Sequence, residues 1–256
     1  MDNRTLRGLS AVKLALASRD ARASEDRLLA SAEPVAVIGM SCRLPGAVAS
    51  LESFWRILRD GADLVCEVPP ERWDIDALYD PDAAAPGKMN TRWGGFLEEP
   101  AVFDPQFFGI APREAASMDP QQRLLLEVAW EAIEDAGLPA PALAGARVGS
   151  FFSVYNTDYA EHLGTSLELI DAYTTLGTAP CMASGRLSFL FDFKGPSLVV
   201  DTACSSSLVA THLAIQSLRE GSSDLALVRP ASLMLKPTRT VSLSRRGSMA
   251  PDGRCK

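Results

Sequence analysis

A short apolar run, a cysteine and a long helical pattern follow one another from Ser197 to Gly221, and this order constrains the fold most strongly. Residues 197–200 are apolar and rich in β-branched side chains, which predicts a buried strand. Residues 205–219 carry small or apolar side chains on nearly every face, which predicts a helix that Gly221 ends. Cys204 therefore lies where a strand turns into the start of a helix.

The position of Cys204 suits a nucleophile. A helix amino terminus carries a partial positive charge and free backbone N–H groups, which favour a thiolate over a thiol. The same N–H groups can stabilise the oxyanion that forms when a thiol is acylated. The alternative is a buried core cysteine, which is the commoner role of this residue. The local pattern leaves both interpretations open.

The segment Asp201–Leu208 (Asp-Thr-Ala-Cys-Ser-Ser-Ser-Leu) resembles the active-site motif of the β-ketoacyl synthases, in the form used by ketosynthase domains of modular polyketide synthases. Further stretches at residues 34–46, 119–137 and 248–256 are similar to the same family. The resemblance implies that Cys204 is the catalytic nucleophile. It would accept the growing acyl chain from a phosphopantetheine thiol and donate it to the carbanion made by decarboxylating a malonyl-type extender.

The alternation of strands with buried helices predicts an α/β chain. The resemblance implies, more specifically, the N-terminal half of a thiolase-like layered fold at residues 34–256, preceded by an N-terminal helix at residues 1–33. The other half of that fold would carry two histidines, a lysine and a second oxyanion-hole amide, and neither His162 nor His212 matches those motifs. We therefore expect an incomplete ketosynthase with an exposed apolar face, which would not complete the Claisen condensation as the sequence stands.

The resemblance also implies partners. The acyl chain would arrive on the phosphopantetheine arm of a partner acyl carrier protein, with no cofactor bound directly, and the chain would form a homodimer in the cytoplasm. Cys181 and Met182 are predicted to line the acyl pocket. Residues 1–33 show apolar side chains at heptad-like steps that charged residues interrupt. They are either a solvated helical tail or a docking segment for an upstream synthase module.

One alternative function stays open, and two are disfavoured. A non-catalytic dimerisation or docking fragment of a truncated synthase remains the alternative, and acylation of Cys204 distinguishes it from the enzyme. A cysteine hydrolase is disfavoured because His212 would lie about 12 Å along the helix from Cys204, beyond hydrogen-bond reach. We interpret His212 as a packed helix residue and His162 as a surface residue. The residues around Cys204 also resemble a polyketide ketosynthase more than a thiolase.

Composition excludes several partners. The chain of 256 residues is 47% hydrophobic with a net charge of −7, which predicts a globular protein and argues against binding to nucleic acid. No apolar run approaches the length of a membrane span. The cysteines show neither a CxxC pair nor metal-ligand spacing, which predicts no metal site and a reducing compartment. They are Cys42, Cys66, Cys181, Cys204 and Cys255.

Three local patterns give further predictions. Val35–Met40 predicts a buried strand, in which Gly39 packs closely, since no GxGxxG follows it. Asp119 is predicted to cap a helix through Asp135, with Gln122 completing a capping box. Arg229-Pro230 departs from a glycine-rich turn that is usual in the family. It is either tolerated at a strand end or impairs packing behind the active site.

Overall fold

The computed structural model describes residue 15, residues 18–20, residue 22, residues 33–254 and residue 256. The predicted helix or docking segment at residues 1–33 falls almost entirely outside the described residues. Its structure and its role in docking therefore remain predictions.

The regular elements of the described residues are helices interspersed with short strands. The α-helices are α1 Leu51–Asp60, α2 Ile75–Leu78, α3 Pro112–Ser117, α4 Pro120–Asp135, α5 Asp158–Leu163, α6 Thr174–Thr178, α7 Met182–Leu190, α8 Ser206–Arg219 and α9 Thr238–Arg245. The strands are β1 Cys66–Glu67, β2 Trp93–Gly94, β3 Val148–Val154, β4 Ser197–Val199 and β5 Leu225–Ala231. Short 3₁₀ turns occupy Ala140–Leu143, Leu167–Leu169 and Ala203–Ser205.

A parallel sheet in the order β4-β3-β5 forms the centre of the fold. Every residue of β3 is buried, as expected for a parallel strand covered on both faces. Phe151 and Phe152 are neighbours on β3 and therefore point to opposite faces of the sheet. Phe152 joins the core formed with α4 and α7, while Phe151 packs against Ala210 of α8. The predicted α/β architecture is confirmed, with helices on both faces of the sheet.

Helix α4 forms because its start is specified by local chemistry. The side chain of Asp119 accepts a 2.8 Å hydrogen bond from the backbone N–H of Gln121, and Pro120 supplies the first helical residue. The predicted cap is therefore confirmed, but the capping box is wrong. The buried side chain of Gln122 donates to the carbonyl of Gly177 at 2.8 Å instead, because α6 brings that carbonyl over the helix start.

The predicted strand at Val35–Met40 is wrong. No regular strand forms there, and Val37 is 77% exposed. The backbone N–H of Met40 donates to the carboxylate of Asp135 at 2.8 Å, so this segment is anchored to a side chain of α4 rather than to a sheet. Its apolar side chains stay exposed because no described element covers them. The close approach of Gly39 is confirmed, since an added Cβ would lie 2.2 Å from the carbonyl oxygen of Ala132.

Helix α1 ends at Gly61, which adopts a left-handed conformation. Its apolar side chains Trp55 and Leu58 are exposed. The loop-rich region after it contains the antiparallel pair β1 and β2 and its own small core around Trp73 and Phe96. This region therefore packs as a satellite of the main sheet.

Candidate active site

Cys204 follows the edge strand β4 and precedes α8, as the sequence predicts. The predicted burial of β4 is wrong, however, because the strand lies at the outer edge of the described sheet and Leu198 is 44% exposed. Cys204 lies in the 3₁₀ turn Ala203–Ser205 that leads directly into α8, and it is exposed. The thiol is therefore accessible at the start of a helix rather than buried in the core.

The turn that carries Cys204 has an unusual backbone. Ala203 has a φ of 56°, a left-handed conformation that is uncommon for residues other than glycine. Its N–H donates to the carboxylate of Asp201 at 2.9 Å. The hydroxyl of Ser206 donates to the carbonyl of Ala203 at 2.7 Å and accepts from the N–H of Thr202 at 2.8 Å. Side chains from both sides of Cys204 thus bind the backbone that positions it.

The parallel order of the strands places Cys204 at a defined edge of the sheet. Because β3, β4 and β5 are parallel, their carboxyl ends meet at one edge, where open α/β sheets commonly bind ligands. Cys204 comes after β4, Asn156 after β3 and Leu233 after β5. The candidate nucleophile and the loops that follow the other two strands therefore lie along the same edge.

A buried polar network occupies the β3–β5 part of this edge, and sequence reasoning missed it. Gln121 donates to the carbonyl of Asn156 at 2.7 Å and accepts from the N–H of Leu233 at 3.2 Å. Asp158 accepts from the N–H groups of Leu235 and Lys236 at 3.0 and 3.1 Å. The signal in the sequence was a pair of adjacent glutamines in the first turn of a helix. Their inward direction became clear only from the tertiary contacts.

Burial of the network strongly raises the pKa of one carboxyl group. Desolvation raises the pKa of Asp119 to about 6, and the nearby charge of Asp158 adds to this effect. The hydrogen bonds from Gln121 and the charge of Arg123 oppose it without cancelling it. Asp119 thus caps α4 while carrying an unfavourable buried charge at neutral pH.

The other predicted site residues lie in several places. Cys181 is exposed and immediately precedes α7, and Met182 is half-buried as the first residue of that helix. No described hydrogen bond or ring contact joins either residue to Cys204, so their role in an acyl pocket stays a prediction. His162 is exposed, as predicted, whereas His212 is exposed rather than packed. It lies on the part of α8 that points away from the sheet.

Arg229-Pro230 is tolerated within β5, which continues to Ala231. Pro230 is exposed and lies on a strand at the outer edge of the described sheet, where a missing N–H costs little. Arg229 is buried on the same face as Leu227, beneath α4, and donates to the hydroxyl of Ser41 at 2.8 Å. Desolvation lowers the pKa of its guanidinium to about 10.

Two clefts lie away from the candidate nucleophile. One of 560 Å³ lies between the satellite core and residues 247–254, and one of 340 Å³ lies beside Leu64 and Leu97. Neither is lined by Cys204, Cys181 or Met182. The described residues contain no group of three or more side chains suited to hold a metal ion. Within the same ranges, no helix combines the length and the hydropathy that crossing a bilayer requires.

Comparison with known proteins identifies the class. Residues 32–256 match the model of the family described as "Beta-ketoacyl synthase, N-terminal domain". The chain belongs to the β-ketoacyl synthase family, and the predicted thiolase-like fold is confirmed for its N-terminal part.

Relatives and solved structures agree with this class. One of the phenolphthiocerol/phthiocerol polyketide synthase polypeptides of Mycobacterium tuberculosis is 52% identical over 223 residues, which are 87% of this chain and 12% of that protein. Polyketide synthase GfsB from Streptomyces halstedii is 52% identical over 88% of this chain and 4% of its own length. The chain thus spans a small part of these relatives.

The structural likeness is also extensive. An oxazolomycin ketosynthase domain from Streptomyces albus JA3453 matches with a TM-score of 0.80 and 40% identity, over 86% of this chain and 38% of that one. The ketosynthase from module 6 of the bacillaene synthase of Bacillus subtilis 168 matches with a TM-score of 0.75 and 36% identity, over 86% and 35% of the two chains.

Proposed function

We propose that this chain provides the acyl-accepting part of a polyketide synthase ketosynthase, with Cys204 as the nucleophile. The observation that carries the proposal is the exposed thiol of Cys204 at the start of α8, within the motif Asp201–Leu208 of a β-ketoacyl synthase. Exposure permits a thioester to approach, and the backbone N–H groups at the helix start can stabilise negative charge.

The proposed reaction is a thioester exchange. The Cys204 thiolate attacks the carbonyl carbon of an acyl group held on the phosphopantetheine arm of an acyl carrier protein. The new bond from carbon to the sulfur of Cys204 forms, and the bond to the phosphopantetheine sulfur breaks. That sulfur leaves as a thiolate and takes up a proton, while Cys204 keeps the acyl chain as a thioester. No cofactor bound to this chain takes part in this step.

The complete activity would be a decarboxylative Claisen condensation of that acyl chain with a malonyl-type extender. Decarboxylation needs groups that generate and stabilise a carbanion. We do not assign this role to His162 or His212, since both are exposed and His212 lies about 1.7 turns beyond the first residue of α8. We therefore assign these residues the acylation step alone and expect no condensation from residues 1–256 by themselves.

Acylation of Cys204 tests the proposal directly. The chain is incubated with acyl-loaded acyl carrier protein, and the modified residue is located by peptide mass spectrometry. We expect the mass of one acyl group on Cys204 and none in Cys204→Ala. Cys66→Ala is the matched control because Cys66 is also exposed but lies on β1 in the satellite region. Acyl transfer that survives in Cys204→Ala would refute the assignment.

The same experiment addresses the alternative function. A non-catalytic dimerisation or docking fragment would leave Cys204 unmodified while still binding other chains. A folded chain that shows no adduct after prolonged exposure to several acyl chain lengths would favour that alternative.

The partners proposed for this chain are an acyl carrier protein and a second copy of itself, in the cytoplasm. No described strand pairs with the outer edge of β4, where Leu198 is exposed, and this supports a homodimer because unpaired edge strands readily pair with another chain. Analytical ultracentrifugation measures this, and Leu198→Lys should shift a dimer towards monomer. If the wild type and Leu198→Lys are both monomers, the proposed homodimer is contradicted. Docking to an upstream module through residues 1–33 stays a prediction.

A further inference from the structure

The residue before Cys204 holds a conformation that costs free energy. Ala203 has a φ of 56°, and a left-handed backbone is strained for an alanine because its Cβ crowds the following carbonyl oxygen. Such a conformation persists only where neighbouring groups impose it. The contacts around Ala203 therefore indicate what shapes the turn at the candidate nucleophile.

Two side chains bind Ala203 from opposite sides. The carboxylate of Asp201 accepts from its N–H at 2.9 Å, and the hydroxyl of Ser206 donates to its carbonyl at 2.7 Å. The same Ser206 hydroxyl accepts from the N–H of Thr202 at 2.8 Å. Ser206 is 5% exposed, so water cannot easily replace its hydroxyl. Side chains thus bind both hydrogen-bonding groups of Ala203 and the N–H of Thr202, and the backbone N–H of Ser206 also donates to the Ala203 carbonyl.

We propose that Asp201 and Ser206 are positioning residues that hold Ala203 in its left-handed conformation and thereby orient Cys204 for acyl transfer. This inference rests on the proposed function of Cys204. If the two side chains release Ala203, its backbone relaxes to a right-handed conformation. The direction of the following Cα–Cβ bond then changes, and the Cys204 thiol leaves the position in which the helix start can stabilise an oxyanion.

A rescue experiment separates positioning from simple packing. The variants are Ser206→Ala, Ala203→Gly and the double variant, in the longest native polypeptide that contains these residues. Glycine adopts positive φ without strain, so the backbone of the Ala203→Gly variant needs no clamp. We expect Ser206→Ala to slow acylation of Cys204 by about 10- to 100-fold, and the added glycine to restore the rate to within about threefold. If Ser206→Ala slowed acylation only by disturbing the packing, Ala203→Gly would not restore the rate.

Neighbouring substitutions provide matched controls. Thr211→Ala removes an exposed hydroxyl of α8 that lies outside the motif and forms no described bond to the turn, so its acylation rate should equal that of the wild type. Asp201→Asn keeps an oxygen acceptor for the Ala203 N–H and should stay close to the wild type, whereas Asp201→Ala should be slow and rescued by Ala203→Gly. Circular dichroism at the assay temperature verifies that each variant is folded.

The outcome is decisive in either direction. A wild-type acylation rate in folded Ser206→Ala, or a slow rate that Ala203→Gly fails to restore, would overturn the proposal. Alkylation of Cys204 by iodoacetamide is measured in parallel, with the same ordering of variants expected. If the wild type is not acylated at all, the proposed function fails, yet the alkylation rates still test whether the clamp positions the thiol.

Discussion

The guanidinium of Arg229, buried beneath α4, donates a hydrogen bond of 2.8 Å to the hydroxyl of Ser41. This bond joins β5 to the segment that crosses α4. The hydroxyl of Ser41 in turn donates to the carbonyl of Val128, within α4. Glu131, whose charge acts on Arg229, is bound by both terminal nitrogens of Arg43. Among the described ion pairs Arg229 has no carboxylate partner.

Replacing Arg229 with methionine should stabilise the chain. Methionine fills a similar volume without a charge, and the desolvation that lowers the pKa of Arg229 to about 10 disappears. We expect the free energy of unfolding to rise by about 1 kcal/mol, measured by urea denaturation. Ser41→Ala provides the control, since it removes the hydroxyl that binds both Arg229 and the carbonyl of Val128 but keeps the buried guanidinium. If Arg229→Met instead loses as much stability as Ser41→Ala, the hydrogen bonding at this site contributes more to stability than the desolvation of Arg229 costs.

The buried carboxyl group of Asp119 should make the stability of the chain depend on pH. Its pKa is about 6 in the folded chain and 3.8 in the absence of burial, so folding favours its protonated form. This contribution is fully present below about pH 4 and is lost as the pH rises through about 6, at a cost of up to about 3 kcal/mol. Asp119→Asn keeps a capping oxygen and should remove this loss.

Urea midpoints at pH 4.5 and 7.5 measure the effect. We expect Asp119→Asn to gain stability relative to the wild type at pH 7.5 and to gain less at pH 4.5. Asp74→Asn is the matched control because Asp74 also caps a helix, α2, but is exposed. An equal response of both variants to pH would exclude burial of Asp119 as the cause.

Gly39 should not tolerate a side chain. A Cβ at this position would lie 2.2 Å from the carbonyl oxygen of Ala132 and 2.8 Å from the Cβ of Ala136, so the segment would have to move off α4. We expect Gly39→Ala to destabilise the chain by about 1–3 kcal/mol. Gly185→Ala is the control, since it lies in α7 with open space around it and should be neutral or slightly stabilising. Thermal denaturation compares the two variants, and equal melting temperatures would contradict the close packing of Gly39 against α4.

Gln121 should be required for the polar network at the carboxyl edge of the sheet. Gln121→Met keeps the volume but leaves the carbonyl of Asn156 and the N–H of Leu233 without this partner. Unpaired buried polar groups cost about 1–3 kcal/mol each, so we expect a loss of about 2–4 kcal/mol in urea denaturation. Gln216→Met, on the exposed side of α8, should leave stability unchanged. A similar small effect in both variants would show that the network contributes little.

Local sequence predicted α4 and α8 well, and the reason is that the ends of such helices are specified by nearby residues. Asp119 and Pro120 start α4, and Gly61 and Gly221 end α1 and α8 in left-handed conformations. These preferences act within one turn of helix and need no distant partner. The motif around Cys204 was equally local, so the candidate nucleophile could be named from sequence.

Burial and side-chain direction depended on the tertiary structure. An apolar pattern cannot show which layer covers it, so β4 and Val35–Met40 were predicted to be buried although they are exposed. Likewise, a glutamine at the third position of a helix can cap it or turn inward, and Gln122 turns inward because α6 offers it a carbonyl.

The sequence by itself determined the family, the α/β class and the position of Cys204 after a strand and before a helix. Only the tertiary structure decided the left-handed backbone of Ala203, the clamp from Ser206 and the burial of Arg229 and Asp119. Motifs record which residues are present, whereas strain and desolvation arise from groups that packing brings together. Both therefore become visible only when the distances between those groups are known.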